Sequence, residues 1–497
     1  MQACPDFGHS VSLRQVLRDA ERFGADDIRI TACNCCSKSV QPGDLFVAIA
    51  GVLDDGHDHV AEAVARGCAA VLAQRPVSAG VPVDYVPDSR EAYGRICQAL
   101  AGNPSRRLRV VGITGTNGKT TTSYLIASVL GHAGYEPGIL GTIGCFDGNE
   151  FKESSMTTPA PDQLARCLGR MVRNGCTHAV MEVSSHALDQ SRVAGISFDV
   201  ACVTNVRRDH LDYHRSIHDY RMAKSRLLDH LAPEGFAVLN ADDPTSVGYL
   251  SRIDGPVLTI GVRAAAEIMG TLVEQYVSEQ TFLLTAGSDT IPVRTRMIGL
   301  HHVYNCLTAA AVGLTYGIDL ATVVRGLEAV EHLPGRLERI ECGQPFGVFV
   351  DFAHTPDALA GSLQTLREVV SGRLICVFGA GGDRDRHKRP LMGKAVEAGA
   401  DLAIVTGDNP RSEDPEAIIA DILAGCRFPD AVEVVPDRAR AIQRALEEAQ
   451  PGDCVLIAGK GHEKYQIIGS HRHPFDDVEV ARQWLYRLGA LQVGLRA

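Results

Sequence analysis

The segment from Val110 to Thr122 reads VVGITGTNGKTTT and constrains the fold more tightly than any other stretch of this sequence. An apolar run enters it and apolar residues at helical spacing follow it, which predicts a strand, a glycine loop and a helix. Gly115 and Gly118 permit a tight turn whose N–H groups point at one anion, and Lys119 adds a full positive charge. The strict phosphate-loop pattern needs glycine at position 113, where this chain has Ile113, so the loop is a variant. We predict a phosphate site, the alternative being a glycine-rich turn before a core helix.

Length and composition indicate a multidomain globular protein. The chain has 497 residues, 45% of them hydrophobic and 22% charged, which is typical of about three domains with apolar cores. The net charge of −11 and the lack of a basic run argue against a nucleic-acid surface. Neither a signal peptide nor an apolar stretch long enough to span a membrane is visible, so we expect a cytoplasmic protein. Fifteen scattered cysteines, among them Cys202, Cys376 and Cys454 in predicted strands, are typical of buried thiols in a reducing compartment.

The order of predicted elements indicates an α/β fold in three domains, with boundaries at residues 1–107, 108–335 and 336–497. Strands alternate with helical stretches in the second and third segments, which predicts largely parallel sheets. Polar residues follow these strands directly, as in Ser184-Ser185-His186 after the strand that begins at His178. Ligands of such sheets bind beyond the carboxyl ends of the strands, so we expect two ligand-binding faces.

Several polar side chains at these strand ends are candidates for chemistry. Glu182 can bind Mg²⁺ opposite the loop threonine, and His210 can bind a metal or donate to an oxyanion, although a structural histidine is the simpler interpretation. Lys224 is predicted on a helix, where a lysine is usually solvated. Arg389, Arg411 and Glu463 end motifs in the third segment, and opposite charges converging there would match a zwitterionic amino acid.

Taken together, these motifs resemble the Mur ligase family over nearly the whole chain. The motifs occur in the family's order: TGTNGKTT, TTP at 157–159, EVSSHAL at 182–188, TNVRRDHLDYH at 204–214, the run ending at Lys224, PGRLE at 334–338, DFAHTPDAL at 351–359, GAGGDRD at 379–385, KRPLM at 388–392, DNPR at 408–411 and GKGHE at 459–463. The resemblance implies a small N-terminal α/β UDP-binding domain, a central P-loop ATPase domain with a mainly parallel sheet and a C-terminal Rossmann-like domain that receives an amino acid.

The resemblance also implies a reaction and its cofactor. ATP activates a carboxylate of UDP-N-acetylmuramoyl-L-alanyl-D-glutamate as an acyl phosphate, and an amine then displaces phosphate, with Mg²⁺ as the metal. The motif DNPR marks family members that add meso-diaminopimelate, and we expect a monomer.

The family's functional residues carry over to matching positions of this chain. Catalytic and metal-binding roles fall on Lys119, Thr120, Glu182, His210 and Lys224, the last as a carbamate. ATP contacts fall on Gly115, Thr116, Asn117, Gly118, Lys119, Thr120, Thr121, Asn305, Arg336 and Asp351. Contacts to the UDP-muramoyl-dipeptide fall on Ser37, Thr157, Thr158, Ser184, Gln190 and Arg192. Contacts to diaminopimelate fall on Arg389, Asp408, Asn409, Arg411, Gly459 and Glu463.

Two motifs depart from the family pattern. The N-terminal signature usually reads D-S-R, but this chain has Cys36-Ser37-Lys38, which alters the expected uridine contacts. His302 replaces the first asparagine of the nucleotide motif, while Asn305 is retained. The alternatives are the same ligation with L-lysine and a non-catalytic nucleotide-binding regulator derived from a ligase. Folylpolyglutamate synthase is an enzyme with a similar ATP-using domain, but it should lack the DNPR motif and the first domain.

Overall fold

The computed structural model describes residues 10–51, 54–154 and 156–494, with side chains as far as residue 489. Helices and strands alternate along most of this length, and the α/β class predicted from the sequence is confirmed. The three main sheets follow one another along the chain. The domain boundaries proposed from the sequence stay a prediction.

The first sheet has five strands in the order β2-β7-β6-β5-β4, and only β2 runs antiparallel to its neighbour. A separate two-stranded pair joins β1 to β3. The strands are β1 (Val11–Ser12), β2 (Glu21–Phe23), β3 (Arg29–Ile30), β4 (Cys33–Asn34), β5 (Leu45–Val47), β6 (Ala70–Ala73) and β7 (Val83–Tyr85). The helices are α1 (Leu13–Val16), α2 (Val60–Ala65) and α3 (Ser89–Leu100).

The second sheet has eleven strands in the order β11-β10-β9-β12-β8-β13-β14-β15-β16-β17-β18. The strands are β8 (Arg109–Thr114), β9 (Pro137–Leu140), β10 (Gly144–Phe146), β11 (Phe151–Glu153), β12 (His178–Glu182), β13 (Phe198–Val203), β14 (Leu231–Asn240), β15 (Val257–Gly261), β16 (Ile268–Gln275), β17 (Gln280–Ala286) and β18 (Asp289–Thr295). The helices are α4 (Lys119–His132), α5 (Pro161–Arg173), α6 (Ser185–Asp189), α7 (Ile217–Ser225), α8 (Pro244–Gly248), α9 (Leu300–Thr315) and α10 (Leu320–Glu328).

The middle of this sheet is parallel, as predicted, and antiparallel strands extend it at both edges. The three antiparallel-paired strands β16, β17 and β18 were not predicted from the sequence. Helix α4 leaves the central strand β8 and packs against α9 and α10, with both faces of the sheet covered by apolar side chains. A Cβ at Gly326 would lie 2.5 Å from the Val129 Cα, so glycine lets α10 approach α4 closely.

The third sheet has six strands in the order β19-β20-β24-β21-β22-β23, with only β19 antiparallel, and a hairpin joins β25 to β26. The strands are β19 (Glu338–Arg339), β20 (Gly347–Asp351), β21 (Leu374–Phe378), β22 (Leu402–Val405), β23 (Glu433–Val434), β24 (Cys454–Ala458), β25 (Tyr465–Ile468) and β26 (His471–Pro474). The helices are α11 (Pro356–Arg367), α12 (Lys388–Gly399), α13 (Pro415–Leu423), α14 (Arg438–Glu448) and α15 (Asp477–Gly494).

Two further sequence predictions can be compared with the structure. Cys202, Cys376 and Cys454 are buried free thiols, as expected, whereas Cys35 and Cys36 are exposed. Within the described ranges, no helix combines the length and the apolar character needed to cross a bilayer.

Candidate active site

The predicted phosphate loop joins β8 to α4 at the centre of the second sheet. Gly115 and Gly118 have φ angles of 154° and 85°, and Gly118 forms the left-handed N-cap of α4. The Lys119 ammonium folds back over the loop and donates to the carbonyl oxygens of Gly115 and Thr116, at 2.8 and 3.0 Å. Burial lowers the pKa of Lys119, although Glu182 opposes this shift. The loop therefore holds a positive charge directly over its own backbone, where a phosphate can take the place of the carbonyls.

Glu182, at the end of β12, hydrogen-bonds both to the phosphate loop's helix and to Thr142, which lies between β9 and β10. Its Oε2 accepts a hydrogen bond from the Thr120 hydroxyl at 3.0 Å and one from the Thr142 hydroxyl at 2.9 Å. Its Oε1 accepts from the Thr142 N–H at 2.9 Å. The carboxylate is buried and faces the first turn of α4, as expected for a group that shares a metal with the loop threonine.

Lys224 is fully buried, which contradicts the simple expectation of a solvated helical lysine. Its Nζ donates to the Gly115 carbonyl at 2.8 Å and lies 4.7 Å from the centre of the Tyr220 ring. The same Gly115 oxygen accepts from Lys119, so two ammonium groups converge on one atom. Burial first, and then Lys119, lower the pKa of Lys224 well below its usual value. The environment therefore favours a neutral or derivatised amine at this position.

His210 lies in the loop after β13 and adopts a left-handed backbone conformation with φ of 53°. Its Nε2 is 3.5 Å from the Asp209 carboxylate, and its ring centre is 4.8 Å from that of His186. Desolvation lowers the pKa of His210, with the charge of Asp209 opposing the shift. The ring is therefore neutral near pH 7 and has a nitrogen lone pair for a metal or a proton.

The residues predicted to bind the nucleotide come from three segments. Asn305, on α9, accepts from the Thr122 hydroxyl at 3.3 Å, and its Oδ1 would lie 2.4 Å from a Cβ at Gly118. Arg336, which follows the second sheet, donates to the Thr120 hydroxyl at 3.1 Å. Asp351 accepts a 2.6 Å hydrogen bond from Ser362 within the third sheet's segment. Asn305 and Arg336 thus lie against the phosphate loop.

Three further positions complete the nucleotide side. Thr121 is buried in the first turn of α4, and Asn117 donates its N–H to the Asn205 side chain at 3.0 Å. His302 is buried in α9 and its Nε2 lies 3.4 Å from the Cys306 sulfur. The side chain of His302, which replaces the family's first asparagine, therefore points into the core next to Cys306. Asn305 instead contacts the phosphate loop and the start of α4.

Most of the residues predicted to bind the UDP-dipeptide adjoin Glu182. The Thr157 hydroxyl is 3.1 Å from that of Thr142, and Thr158 donates to the Glu182 carbonyl at 2.9 Å. The N–H of Ser184 donates to the Thr158 hydroxyl at 3.0 Å. Arg192 donates to the Thr158 carbonyl at 2.8 Å and to Gln190 Oε1 at 2.7 Å. Ser37 instead lies in the first sheet's segment, buried, and donates to Glu62 at 2.7 Å.

Residues predicted to bind the amino acid gather at the carboxyl ends of β22 and β24. Asn409 Nδ2 donates to Glu463 Oε2 at 2.8 Å, and Asp408 is buried beside them. Gly459 has φ of 113°, and a Cβ there would lie 3.0 Å from Asp408 Oδ2. Arg411 donates to the Gly382 carbonyl at 2.6 Å. Burial lowers the pKa of Arg411, and the charges of Asp408 and Glu463 oppose this shift. Positive and negative groups therefore do converge on this face.

Arg389 has a different environment from the one expected. Its side chain is fully buried and pairs with Glu413 at 2.8 Å and with Asp421 at 2.9 Å. It also donates to the Gly381 carbonyl at 3.1 Å. In this arrangement both terminal nitrogens bind groups of the chain itself, so Arg389 braces the glycine loop of residues 379–382. Its predicted direct contact with a ligand stays a prediction.

Several residues at the site were not identified from the sequence. Thr142 carries no motif of its own, and only the fold brings it to Glu182. Tyr220 belongs to the run that ends at Lys224, but no role was predicted for it, and its hydroxyl lies 2.9 Å from that of Thr116 in the loop. Lys460 lies inside the recognised GKGHE motif but is fully buried beneath Glu463. Burial lowers the pKa of Lys388, at the start of α12, and the charge of Asp209 in the second sheet's segment opposes this shift. Two sequence signals could have pointed to these lysines: Lys460 lies between two glycines, and Lys388 directly precedes a motif arginine.

Comparison with known proteins identifies the family. The Mur ligase family catalytic domain matches residues 29–100, the Mur ligase middle domain matches 113–313, and the Mur ligase glutamate ligase domain matches 335–461. A curated relative from Geobacillus thermodenitrificans is 45% identical over 461 residues, covering 91% of this chain and 94% of its own. The chain belongs to the Mur ligase family. It is accordingly an ATP-dependent ligase that forms amide bonds.

Several relatives of this Mur ligase share one name, which specifies a UDP-linked substrate and an amino acid. The Geobacillus protein and one from Xylella fastidiosa, which is 42% identical over 97% of this chain and 98% of its own, are both named UDP-N-acetylmuramoyl-L-alanyl-D-glutamate--2,6-diaminopimelate ligase. A solved structure of the same name covers 97% of this chain and all of its own, with 32% identity and a TM-score of 0.69. A Thermotoga maritima MurF structure in complex with ADP, at 19% identity and a TM-score of 0.58, shares the fold.

Proposed function

We propose that this Mur ligase adds meso-diaminopimelate to UDP-N-acetylmuramoyl-L-alanyl-D-glutamate, a step of peptidoglycan precursor synthesis. The observation that carries the proposal is the convergence of Arg411 and Glu463 at one face of the third sheet. Arg411 donates its N–H to the Ile467 carbonyl at 3.1 Å, and Asn409, which holds Glu463, accepts from the Ile467 N–H at 2.9 Å. A guanidinium suits the distal carboxylate of diaminopimelate and Glu463 suits an ammonium.

The nucleotide side consists of the phosphate loop and its neighbours. Lys119 and the N–H groups of residues 115–121 bind the phosphates of ATP, and Asn305 contacts the base. Arg336 reaches the γ-phosphate region because it already donates to Thr120. Asp351 contacts the ribose, as the family resemblance implies. These assignments rest on the placement of the loop, Asn305 and Arg336 against one another.

The residues present fit Mg²⁺. Thr120 and Glu182 already share a hydrogen bond, and His210 presents a neutral imidazole. In the described part of the chain, no cluster of three or more histidine, cysteine or acidic side chains forms a ready metal cage. Mg²⁺ commonly takes only one or two protein carboxylates together with substrate phosphates. Bound there, the metal would neutralise phosphate charge during transfer.

Lys224 would complete this set as a carbamate. Its amine is buried beside Lys119 and aimed at the phosphate loop, where an anionic oxygen ligand suits Mg²⁺ better than a second cation. The modification follows from the family resemblance and converts a like-charge contact into an attractive one.

The UDP-dipeptide is proposed to lie along Thr157, Thr158, Ser184, Gln190 and Arg192, with its D-glutamyl carboxylate near Glu182 and the loop. Its oxygen attacks the γ-phosphorus, ADP leaves, and an acyl phosphate forms. The amine of diaminopimelate then attacks the acyl carbon, an amine proton is lost to a base, and inorganic phosphate departs. Lys119 and Arg336 stabilise the charge that develops on the transferred phosphoryl group.

The N-terminal unit is proposed to bind the uridine. Ser37 is the surviving signature residue, yet its hydroxyl is engaged by Glu62. Uridine binding therefore requires either exchange of that hydrogen bond or contacts through the backbone around Cys36-Ser37-Lys38. We further propose that the enzyme is a cytoplasmic monomer.

The proposal is tested by product formation with the purified protein. ATP, Mg²⁺, the UDP-dipeptide and either diaminopimelate or L-lysine are supplied, and products are detected by mass. We expect ADP and the UDP-tripeptide with diaminopimelate only. Product with lysine but not with diaminopimelate would reverse the assignment of the amino acid, and absence of ADP with both would favour a non-catalytic regulator.

A further inference from the structure

Lys460 is a fully buried lysine on the amino-acid face. It follows β24, and its ammonium lies 3.1 Å from Asn409 Oδ1, 3.4 Å from Glu463 Oε2 and 3.7 Å from Asp408 Oδ1. A lysine is seldom buried completely unless its charge is paired. Here it meets two carboxylates and one amide oxygen, all from residues predicted to bind the incoming amino acid.

The contact with Asn409 fixes the orientation of that side-chain amide. Oδ1 accepts from Lys460 and, at 2.9 Å, from the Ile467 N–H. An ammonium has only donors, so it must face the oxygen and not the nitrogen of the amide. The nitrogen is thereby directed at Glu463 Oε2, to which it donates at 2.8 Å.

The orientation of Asn409 in turn sets which oxygen of Glu463 is available. Both Asn409 Nδ2 and Lys460 Nζ contact Oε2. Within the described residues, these contacts hold the carboxylate by Oε2, and Oε1 is the oxygen that we assign to a ligand. A carboxylate fixed in this way presents a directed acceptor for an ammonium, without the entropy cost of ordering a free side chain.

We propose that Lys460 is a positioning residue for the amino-acid substrate, acting on Glu463 both through Asn409 and by its own contact with Oε2. It makes no contact with substrate itself. Its effect falls on binding of the diaminopimelate ammonium and leaves the ATP step untouched. This inference rests on the proposed function, because diaminopimelate is taken as the ligand of Glu463.

The test compares Lys460→Met and Lys460→Gln with the wild type. K460M lacks every donor, so we expect KM for diaminopimelate to rise about tenfold or more, as for loss of a charge-assisted hydrogen bond. K460Q retains donors and should show a smaller rise. The KM values for ATP and the UDP-dipeptide, and kcat at saturating diaminopimelate, should stay within about twofold. The matched control is Lys464→Met, since Lys464 is exposed four residues away.

A double-mutant cycle separates positioning from a general structural role. Because part of the effect passes through the amide, K460M should raise KM by a smaller factor in the Asn409→Ala background than in the wild type. Additive effects, or an unchanged KM in K460M, would overturn the inference. So would failure of both Lys460 variants to fold, since Lys460 would then serve stability. A wild type that makes no product with diaminopimelate would instead count against the proposed function.

Discussion

At the scale of single residues, Lys119 and Lys224 make the same contact but are proposed to act in opposite ways. Both donate to the Gly115 carbonyl at 2.8 Å. Lys119 supplies a cation to the phosphates, so Lys119→Ala should lower kcat for ADP release by about a thousandfold, the cost of removing one strong transition-state contact. Lys394→Ala, on an exposed face of α12, should leave kcat unchanged.

Lys224 is expected to supply an anion, so a small carboxylate can replace it. Lys224→Ala should lose activity comparably to K119A and regain a measurable part of it when acetate is added. K119A should gain nothing from acetate, because the missing group there is a cation. ADP release measured across an acetate series distinguishes the two, and restoration of neither or of both variants would contradict a carbamate at Lys224.

At the scale of elements, the parallel strands were predictable where an apolar run ends in polar residues. Leu374–Phe378, Leu402–Val405 and Cys454–Ala458 are three such runs, and each forms one strand of the third sheet. Strands β16 to β18 were not predicted because their half-exposed residues lack such a run.

The candidate site was predictable where a residue belongs to a motif whose chemistry is recognisable from the sequence, as at Lys119 and Glu182. The burial of Lys224 and Lys460 was not, because a single lysine carries no local signal of its tertiary surroundings. The environment of Arg389 escaped prediction for the same reason, since its partners lie 24 and 32 positions further along the chain.

The Arg389 pairs predict how acid affects the corner formed by α12 and α13. The Arg389 hydrogen bonds lower the pKa of Glu413 to about 2 from its ordinary 4.5. A lowered folded-state pKa stabilises the fold above the unfolded value, so this contribution is present above about pH 4.5 and is lost as pH falls toward about 2. The protection factors for amide hydrogen exchange in α12 and α13, which correct for the intrinsic pH dependence of exchange, should therefore fall across that interval in the whole protein.

Arg389→Met should remove this pH dependence and lower local stability at pH 7 by on the order of 2 kcal/mol, since it leaves two carboxylates without their buried partner. Arg386→Met is the control, because Arg386 is 61% exposed and its pair with Asp421 should contribute well under about 1 kcal/mol. Equal exchange rates in the two variants would show that Arg389 does not brace this corner.

At the scale of the whole molecule, Arg336 connects the third sheet's segment to the phosphate loop. Its guanidinium donates to the Thr120 hydroxyl at 3.1 Å and lies 4.8 Å from the centre of the Phe352 ring. Phe352 follows β20 of the third sheet. The Arg336 side chain therefore contacts both the phosphate loop's helix and the carboxyl end of a strand in the third sheet. An ATP analogue bound at the loop should therefore stabilise the segments of the second and third sheets together, with Arg336 as the link between them.

A non-hydrolysable ATP analogue at about a hundred times its Kd should stabilise the wild type by about 2.7 kcal/mol, which appears as a rise in Tm. Arg336→Met should lose most of that rise at the same analogue concentration, because it removes both the phosphate contact and the link to Phe352. Arg339→Met is the control, since Arg339 is exposed and pairs with the exposed Glu341 at 2.8 Å. If R336M and R339M shift alike, nucleotide binding does not depend on this link, and other contacts then position the amino-acid face.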